Sequence, residues 1–336
     1  MEKEQIFFED FSGKKATVFT KLPQSGSARA NFTAETDGKK YIVTSNENLR
    51  ENEAFFYFSQ IFSDLNLNTP QIMKISPDRR MYIQEFLGDR TLSGVIEEEK
   101  ISGRTESLVK QTLDQLYQLQ VSTDGKVDYT KTFEYEAYDE FPILSDLFYF
   151  KNMFVDILEI QYHKGSLLKE FKKIVSKTEN LEPKGLMIRD FQSRNIMVNN
   201  QDRVSFIDYQ SAMKGPLMYD VVSFLYQAKA NFPESFRKEM TDFYISRFTL
   251  EQQVQLNLSV KPVHLIRFMQ VLGAYGFRGL IQKKQHFISS IQQGTENLTQ
   301  FAEDWEEMND YPELKKVILE LKSDATAQKI KEFLAQ

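Results

Sequence analysis

Between residues 15 and 45 the chain alternates apolar runs with turn formers. KATVFTKL, ANFTAET and KKYIVTS are rich in β-branched and aromatic residues, the composition of strands. The first two are separated by Pro23, Ser25, Gly26 and Ser27, the second two by Asp37-Gly38. Asp-Gly between strand-like runs predicts a tight hairpin. LRENEAFFYFSQIFSDL (49–65) then places Phe55, Phe58, Ile61, Phe62 and Leu65 at helical spacing, with Glu51 and Glu53 near its start, where the helix dipole favours them. TPQIMKIS and RRMYIQEFLGD, separated by Pro77-Asp78, predict two more strands. The order is three strands, one helix, two strands.

After Gly88 the period changes. RTESLVKQTLDQLYQLQ carries Val109, Leu113, Leu116 and Tyr117 on one helical face, and 146–176 is another helical stretch. RNIMVN and RVSFID predict two short strands joined by NNQD, and from Tyr219 onward nearly every segment is helical. Residues 263–281 are apolar on most faces, which predicts a buried helix. In the charged, helical tail from Glu303, Trp305 is the only large anchor expected. The fold class expected is α+β, with a small antiparallel-sheet lobe over 1–88 containing one helix, and a larger mainly helical lobe over 89–336.

Charge and composition narrow the functions. The 336 residues carry 42 basic and 48 acidic side chains, a net charge of -6. That balance argues against a nucleic-acid partner held by counterion release. The absence of cysteine removes disulfides, thiolate catalysis and Cys-ligated zinc. His163, His264 and His286 lie far apart and lack metal-ligand spacing. The N-terminus MEKEQIFFEDFSGKK lacks the apolar core of a signal peptide, and no run of about 18 apolar residues occurs. The expectation is a cytoplasmic protein with no membrane partner.

Candidate chemistry concentrates in LMIRDFQSRNIMVNNQDRVSFIDYQS (186–211). Asp190 follows an apolar strand end, Asn195 stands five positions on, and Asp208 thirteen beyond that. A carboxylate that accepts a hydrogen bond from a substrate hydroxyl, with two hard oxygen ligands for Mg2+, is the minimum set for phosphoryl transfer. A hairpin between Asn195 and Asp208 would return both ligands to one end of a sheet. The alternative is that Asp190 and Asn195 are turn residues and Asp208 caps the next element.

RDFQSRNIMV and VSFIDYQSAMKGPLMYDVVSFLY resemble the catalytic half of the aminoglycoside phosphotransferase and choline kinase family, which has a two-lobed protein-kinase-like fold. Within it, the resemblance is to bacterial small-molecule kinases of the N-acetylmuramate/N-acetylglucosamine 1-kinase type. It implies ATP and Mg2+ as cofactors and a small-molecule hydroxyl, on an amino sugar, as acceptor. By position it implies Asp190 as catalytic base, Asn195 and Asp208 as metal ligands and catalytic groups, and Asp220 as a structural Asp in the next helix, the alternative for Asp220 being that helix's N-cap. LPQSGSARANF resembles the nucleotide-covering turn, so Gln24, Ser25, Gly26 and Ser27 are expected at the nucleotide. In YIQEFLG, backbone groups of Glu85 to Leu87 are expected at the adenine edge.

Two positions depart from the family pattern. Ile188 stands where many relatives carry His, and can pack beneath the loop. Thr44 stands where the third strand should offer a phosphate-binding Lys; Lys39 and Lys40 come about four residues too early. Arg29 is the candidate for the missing cation, the alternative being a solvated strand residue. Glu53 matches the helix Glu that normally pairs with that Lys; it would pair with Arg29 or cap the helix. Arg194 would face either an anionic or hydroxyl-rich substrate or solvent. Aminoglycoside or choline-type acceptors are the alternative, EDWEEMND in the tail being an acidic cluster or a solvated helix face. A pseudokinase-like binding module is the alternative of another class.

Overall fold

The computed structural model describes residues 2–23, 29–227 and 229–335. The chain forms two compact units, Met1–Glu136 with Ile188–Met213, and Ala137–Met187 with Lys214–Gln336.

The first unit opens with α1 (Lys3–Ser12), β1 (Val18–Lys21), β2 (Ala30–Thr36), β3 (Lys39–Ser45), α2 (Leu49–Asp64), β4 (Ile72–Ile75) and β5 (Met81–Glu85). The strands form one antiparallel sheet in the order β1-β2-β3-β5-β4. The β2–β3 turn is Asp37-Gly38, both at positive φ (51° and 71°), the two-residue geometry that suits strand twist. Helix α2 begins at Asn48, whose side chain accepts from the Glu51 N–H, a satisfied N-cap.

Side-chain alternation divides this sheet into two working faces. Phe32, Val43 and Ile83 are cross-strand neighbours. They form a buried cluster with Ala34 and with Phe8 of α1. Asn31, Thr44 and Tyr82 are cross-strand neighbours one position away and so point to the opposite face. There α2 packs, with Phe55 and Phe56 ring centroids 5.1 and 5.2 Å from Tyr82. Helix α1 was not foreseen from the apolar pattern: it is short, and only Phe7, Phe8 and Phe11 mark its inner side.

The unit continues with β6 (Arg90–Thr91), α3 (Leu92–Glu99) and α4 (Gly103–Ser122). Within the returning segment, β8 (Ile196–Val198) and β9 (Val204–Phe206) form a hairpin that β6 extends into a three-stranded sheet. Helix α4 grips the hairpin tip. Gln111 donates to the Asp202 carbonyl (2.9 Å) and accepts from the Val204 N–H (2.7 Å), and Arg104 binds the Asp202 carboxylate.

The second unit contains α5 (Glu140–Phe150), α6 (Lys164–Thr178), β7 (Lys184–Met187), β10 (Met213–Pro216), α7 (Met218–Leu225), α8 (Glu234–Ile245), α9 (Leu250–Tyr275), α10 (Gln285–Ile288), α11 (Ile291–Asp304), α12 (Pro312–Glu320) and α13 (Asp324–Ala335). Helix α9 starts with a capping box between Thr249 and Gln252 and buries Val263, Leu265, Ile266, Met269 and Leu272. At Gly276, beyond its end, a Cβ would lie 1.8 Å from the Met153 carbonyl oxygen, so only glycine allows this approach. The tail is anchored by more than Trp305: Met308, Leu314, Val317 and Ile318 are fully buried as well. No helix among the described residues is long and apolar enough to cross a membrane.

Candidate active site

The loop after β7 begins with a tight γ-type turn. Asp190 N–H donates to the Ile188 carbonyl (2.9 Å) across Arg189, which has φ 70°. Such a conformation is costly for a residue with a Cβ; Arg189 forms the apex and Asp190 closes the turn, half-buried. Ile188 is 1% exposed, so the apolar residue in the expected His position packs into the core. Phe191 meets Phe206 of β9 edge to face at 4.9 Å, pinning the loop to the hairpin.

Asn195 lies at the foot of β8 and Asp208 just past β9. The Ile207 N–H donates to the Asn195 carbonyl (3.0 Å), so the hairpin brings both residues to the same end. The Asn195 amide nitrogen donates to the Asp190 backbone carbonyl (2.9 Å) and stands 3.3 Å from Asp208 Oδ2. With Nδ2 committed, Oδ1 is the side-chain atom that could ligate a metal. Asp208 has φ 66° and accepts from the Gln210 amide at 3.1 Å.

The donor set, one amide oxygen and one carboxylate, fits a hard divalent ion that keeps waters or takes phosphate oxygens. Among the described residues no cluster of three His, Cys, Asp or Glu forms a protein-only cage. Such a pair would suit a Mg2+ that keeps part of its water shell better than a structural metal.

Arg29 immediately precedes β2 and projects to the same sheet face as Asn31, Thr44 and Tyr82. Its guanidinium hydrogen-bonds Asp208, and its Nε lies 3.4 Å from Glu51 Oε1. The side chain is only 12% exposed. Burial alone would lower its pKa, but Asp208, Tyr82 and Glu51 together hold it above the ordinary arginine value. Asp208 shows the counterpart. Burial alone would raise its carboxyl, but the charge and hydrogen bond of Arg29, with help from Gln210 and Arg194, hold it below the usual range. Both groups are therefore charged at neutral pH.

Thr44 is fully buried, donates to Asn31 Oδ1 (2.8 Å) and accepts from the Gln84 amide (3.3 Å). The strand position expected to carry Lys is closed by neutral hydrogen bonds, and the cation beside Asp208 is Arg29, just before β2. The acid facing Arg29 is Glu51. Glu53 instead pairs with Arg79, NH2 to Oε2 at 2.6 Å, with half its side chain exposed. One turn of helix has 3.6 residues, so positions 51 and 53 face directions about half a turn apart. Glu51 is further fixed by the Asn46 amide, 2.9 Å from Oε2.

The remaining expected site residues are placed as follows. Gln24, Ser25, Gly26 and Ser27 lie outside the described residues. Glu85 ends β5, and its backbone N–H already donates to the Gln71 carbonyl at 2.9 Å. Leu87 is half-buried in the segment that follows. Gly88 has φ 126°, and a Cβ there would stand 3.1 Å from the Val198 carbonyl oxygen. Its role is thus to let the 86–89 backbone lie against β8. Arg194 is exposed. Asp220 is fully buried in the first turn of α7.

Residues 20–254, more than half the chain, match the phosphotransferase enzyme family. The chain belongs to this family. Among curated relatives, the N-acetylmuramate/N-acetylglucosamine kinase of Neisseria meningitidis serogroup B is 25% identical over 174 residues, 51% of this chain and 49% of the relative. The chain thus spans about half the length of the curated relative it matches. Among solved structures, choline kinase LicA from Streptococcus pneumoniae superposes with a TM-score of 0.60 at 14% identity, covering 88% of this chain and 99% of that one. Aminoglycoside phosphotransferase APH(4)-Ia, in a ternary complex with ADP and hygromycin B, gives 0.58 at 14% identity, covering 89% and 98%. These likenesses establish a protein-kinase-like fold for this phosphotransferase.

Sequence reasoning missed Glu51 and Gln210. The signal for Glu51 was present in its place in the first turn of α2. Only the helix phase relative to β2 separates it from Glu53, and that phase is set by tertiary packing. Gln210, two residues past Asp208, carried no signal of its own.

Proposed function

We propose that this phosphotransferase moves the γ-phosphate of ATP to a hydroxyl of an amino sugar, with Mg2+ as the metal. The observation that carries this reading is the hairpin that sets Asn195 Nδ2 3.3 Å from Asp208 Oδ2 beside the Asp190 turn. Asp190 accepts the hydrogen bond of the acceptor hydroxyl and takes its proton. The new P–O bond forms on that oxygen as the bond to the β-phosphate oxygen breaks, and ADP leaves. Asn195 and Asp208 would hold Mg2+, which supplies charge neutralisation for the phosphates. Arg29 serves as the phosphate-facing cation in place of a Lys at Thr44. Glu85 to Leu87 border the adenine through backbone groups, with the Leu87 end offering them, because the Glu85 N–H is engaged by Gln71.

In this reading residues 1–88 bind nucleotide and 89–336 carry catalysis and the acceptor. The amino-sugar acceptor, phosphorylated at its anomeric hydroxyl, is supported by the Neisseria relative, an N-acetylmuramate/N-acetylglucosamine kinase. The test is ADP release from ATP and Mg2+ with a panel of N-acetylated hexosamines, aminoglycosides and choline, for wild type and Asp190→Ala. An N-acetylhexosamine should stimulate release in the wild type alone. Stimulation confined to an aminoglycoside or choline would replace the acceptor class. No stimulation above the Asp190→Ala level by any acceptor would sink the reading.

A further inference from the structure

A short chain of polar side chains inside the first unit ends on Asp208. Asn52 Oδ1 and Glu51 Oε2 both accept from the Asn46 amide (3.0 and 2.9 Å), and the Asn46 N–H is held by the Arg80 carbonyl (2.8 Å). Asn52 is fixed in turn by donating to the carbonyls of Asn46 and Arg79 (3.0 and 2.8 Å). Glu51 therefore has a set orientation, and it presents Oε1 to Arg29 Nε at 3.4 Å. The other end of the Arg29 guanidinium hydrogen-bonds Asp208 Oδ1.

At Asp208 each carboxylate oxygen is engaged. Oδ1 accepts from Arg29 and from Gln210 (3.1 Å), while Oδ2 has the Asn195 amide at 3.3 Å. A divalent ion approaching Asp208 meets a guanidinium already neutralising that carboxylate, in a setting where like charges repel strongly. Arg29 has a second carboxylate partner in Glu51, whose Oε1 lies 3.4 Å from its Nε. Its planar fork can satisfy one anion through Nε and leave its outer nitrogens for another.

We propose that Arg29, aimed by Glu51 and Asn46, guards Asp208 against bare cations and yields it only when nucleotide phosphates arrive with the metal to take over its outer nitrogens. Arg29 is then the counter-ion of Asp208 in the empty site and of the phosphates in the filled one. Metal alone binds weakly, nucleotide alone binds weakly, and the two together bind with strong synergy. The inference rests on the metal and nucleotide roles proposed above for this site.

The test is Mn2+ binding to the full chain, followed by electron paramagnetic resonance of the free ion, without nucleotide and then with saturating ADP. Relative to wild type, Arg29→Gln should bind Mn2+ alone about tenfold more tightly, and ADP should enhance Mn2+ binding about tenfold less. Arg29→Lys, which keeps the charge, should keep the block on Mn2+ alone. Glu51→Gln, one step removed from Asp208, releases Arg29 to Asp208 and should weaken Mn2+ binding alone; it keeps the test open if Arg29→Gln fails to fold. Equal Mn2+ affinities for wild type and Arg29→Gln without nucleotide would overturn the proposal. So would Glu51→Gln binding that matches wild type. If the wild type binds neither Mn2+ nor ADP in any combination, the nucleotide and metal reading falls as well, an outcome distinct from loss of synergy alone.

Discussion

The loop carrying Asp190, Asn195 and Asp208 and the cation site around Arg29 lie in the same unit and meet at one carboxylate, yet they are assembled differently. The loop is local. Its bonds join Ile188 to Asp190, Asp190 to Asn195 and Asn195 to Ile207, all within a continuous segment. The cation site draws Arg29 from the start of β2, Thr44 from β3, Glu51 from α2 and Tyr82 from β5. A local site must keep its spacing to keep its geometry. A site built across strands can draw its charge from a neighbouring segment, and here Arg29 reaches Asp208 from just before β2 while the β3 position is the neutral Thr44.

That comparison can be broken at its strongest point first. Asp190→Ala removes the group proposed to take the acceptor's proton. Its kcat should fall by about 10²- to 10⁴-fold, with the KM for ATP little changed, measured as acceptor-dependent ADP release. A main effect on the KM for ATP would show that the loop and cation site do not divide labour as described.

A second experiment concerns the backbone joining the two regions. Gly88→Val places a β-branched residue at φ 126° and within 3.1 Å of the Val198 carbonyl. It should destabilise the protein by about 1–3 kcal/mol, read from denaturant unfolding. An unchanged midpoint would mean that the 86–89 segment does not lean on β8.

The distinction also explains what was legible beforehand. The hairpin at Asp37-Gly38, the strand–helix–strand order and the spacing of Asp190, Asn195 and Asp208 are written in neighbouring residues, and reading them required only period and turn chemistry. Ile188 is legible as a packing residue, because one apolar side chain beside a strand has few other places to go, and it is buried. The sequence points to Glu53 rather than Glu51 because the phase of α2 depends on how Phe55 and Phe56 pack on Tyr82, a long-range fit. Helix α1 escaped notice for a similar reason: it earns its stability by covering Phe32, Val43 and Ile83 rather than by its own pattern. Gln210 became visible only once its amide was found on Asp208.

The second unit offers a contrast with the charged site. His264 is 5% exposed, with ring centroids of Tyr226, Phe268 and Phe301 at 4.0, 4.0 and 4.8 Å. Burial, reinforced by Lys261 and Arg237, holds its imidazole well below the ordinary value. The folded state therefore resists a proton that the unfolded state accepts near pH 6.5. Above that pH the contribution is fully present. As pH falls below it, stability should decline by about 1.4 kcal/mol per pH unit until the folded pKa is reached. His264→Phe should flatten this part of the pH profile of chemical unfolding; an unchanged slope would remove His264 as its cause.

The most direct test of the role proposed for Arg29 compares two neighbouring acids. Glu51→Gln and Glu53→Gln are assayed side by side for the apparent KM for ATP. Glu51 orients Arg29, whereas Glu53 binds Arg79 at the surface. The account predicts that Glu51→Gln raises the KM about tenfold, the scale of a typical coupling, while Glu53→Gln stays within about twofold of wild type, as an exposed ion pair allows. A rise for Glu53→Gln with Glu51→Gln unchanged would contradict it.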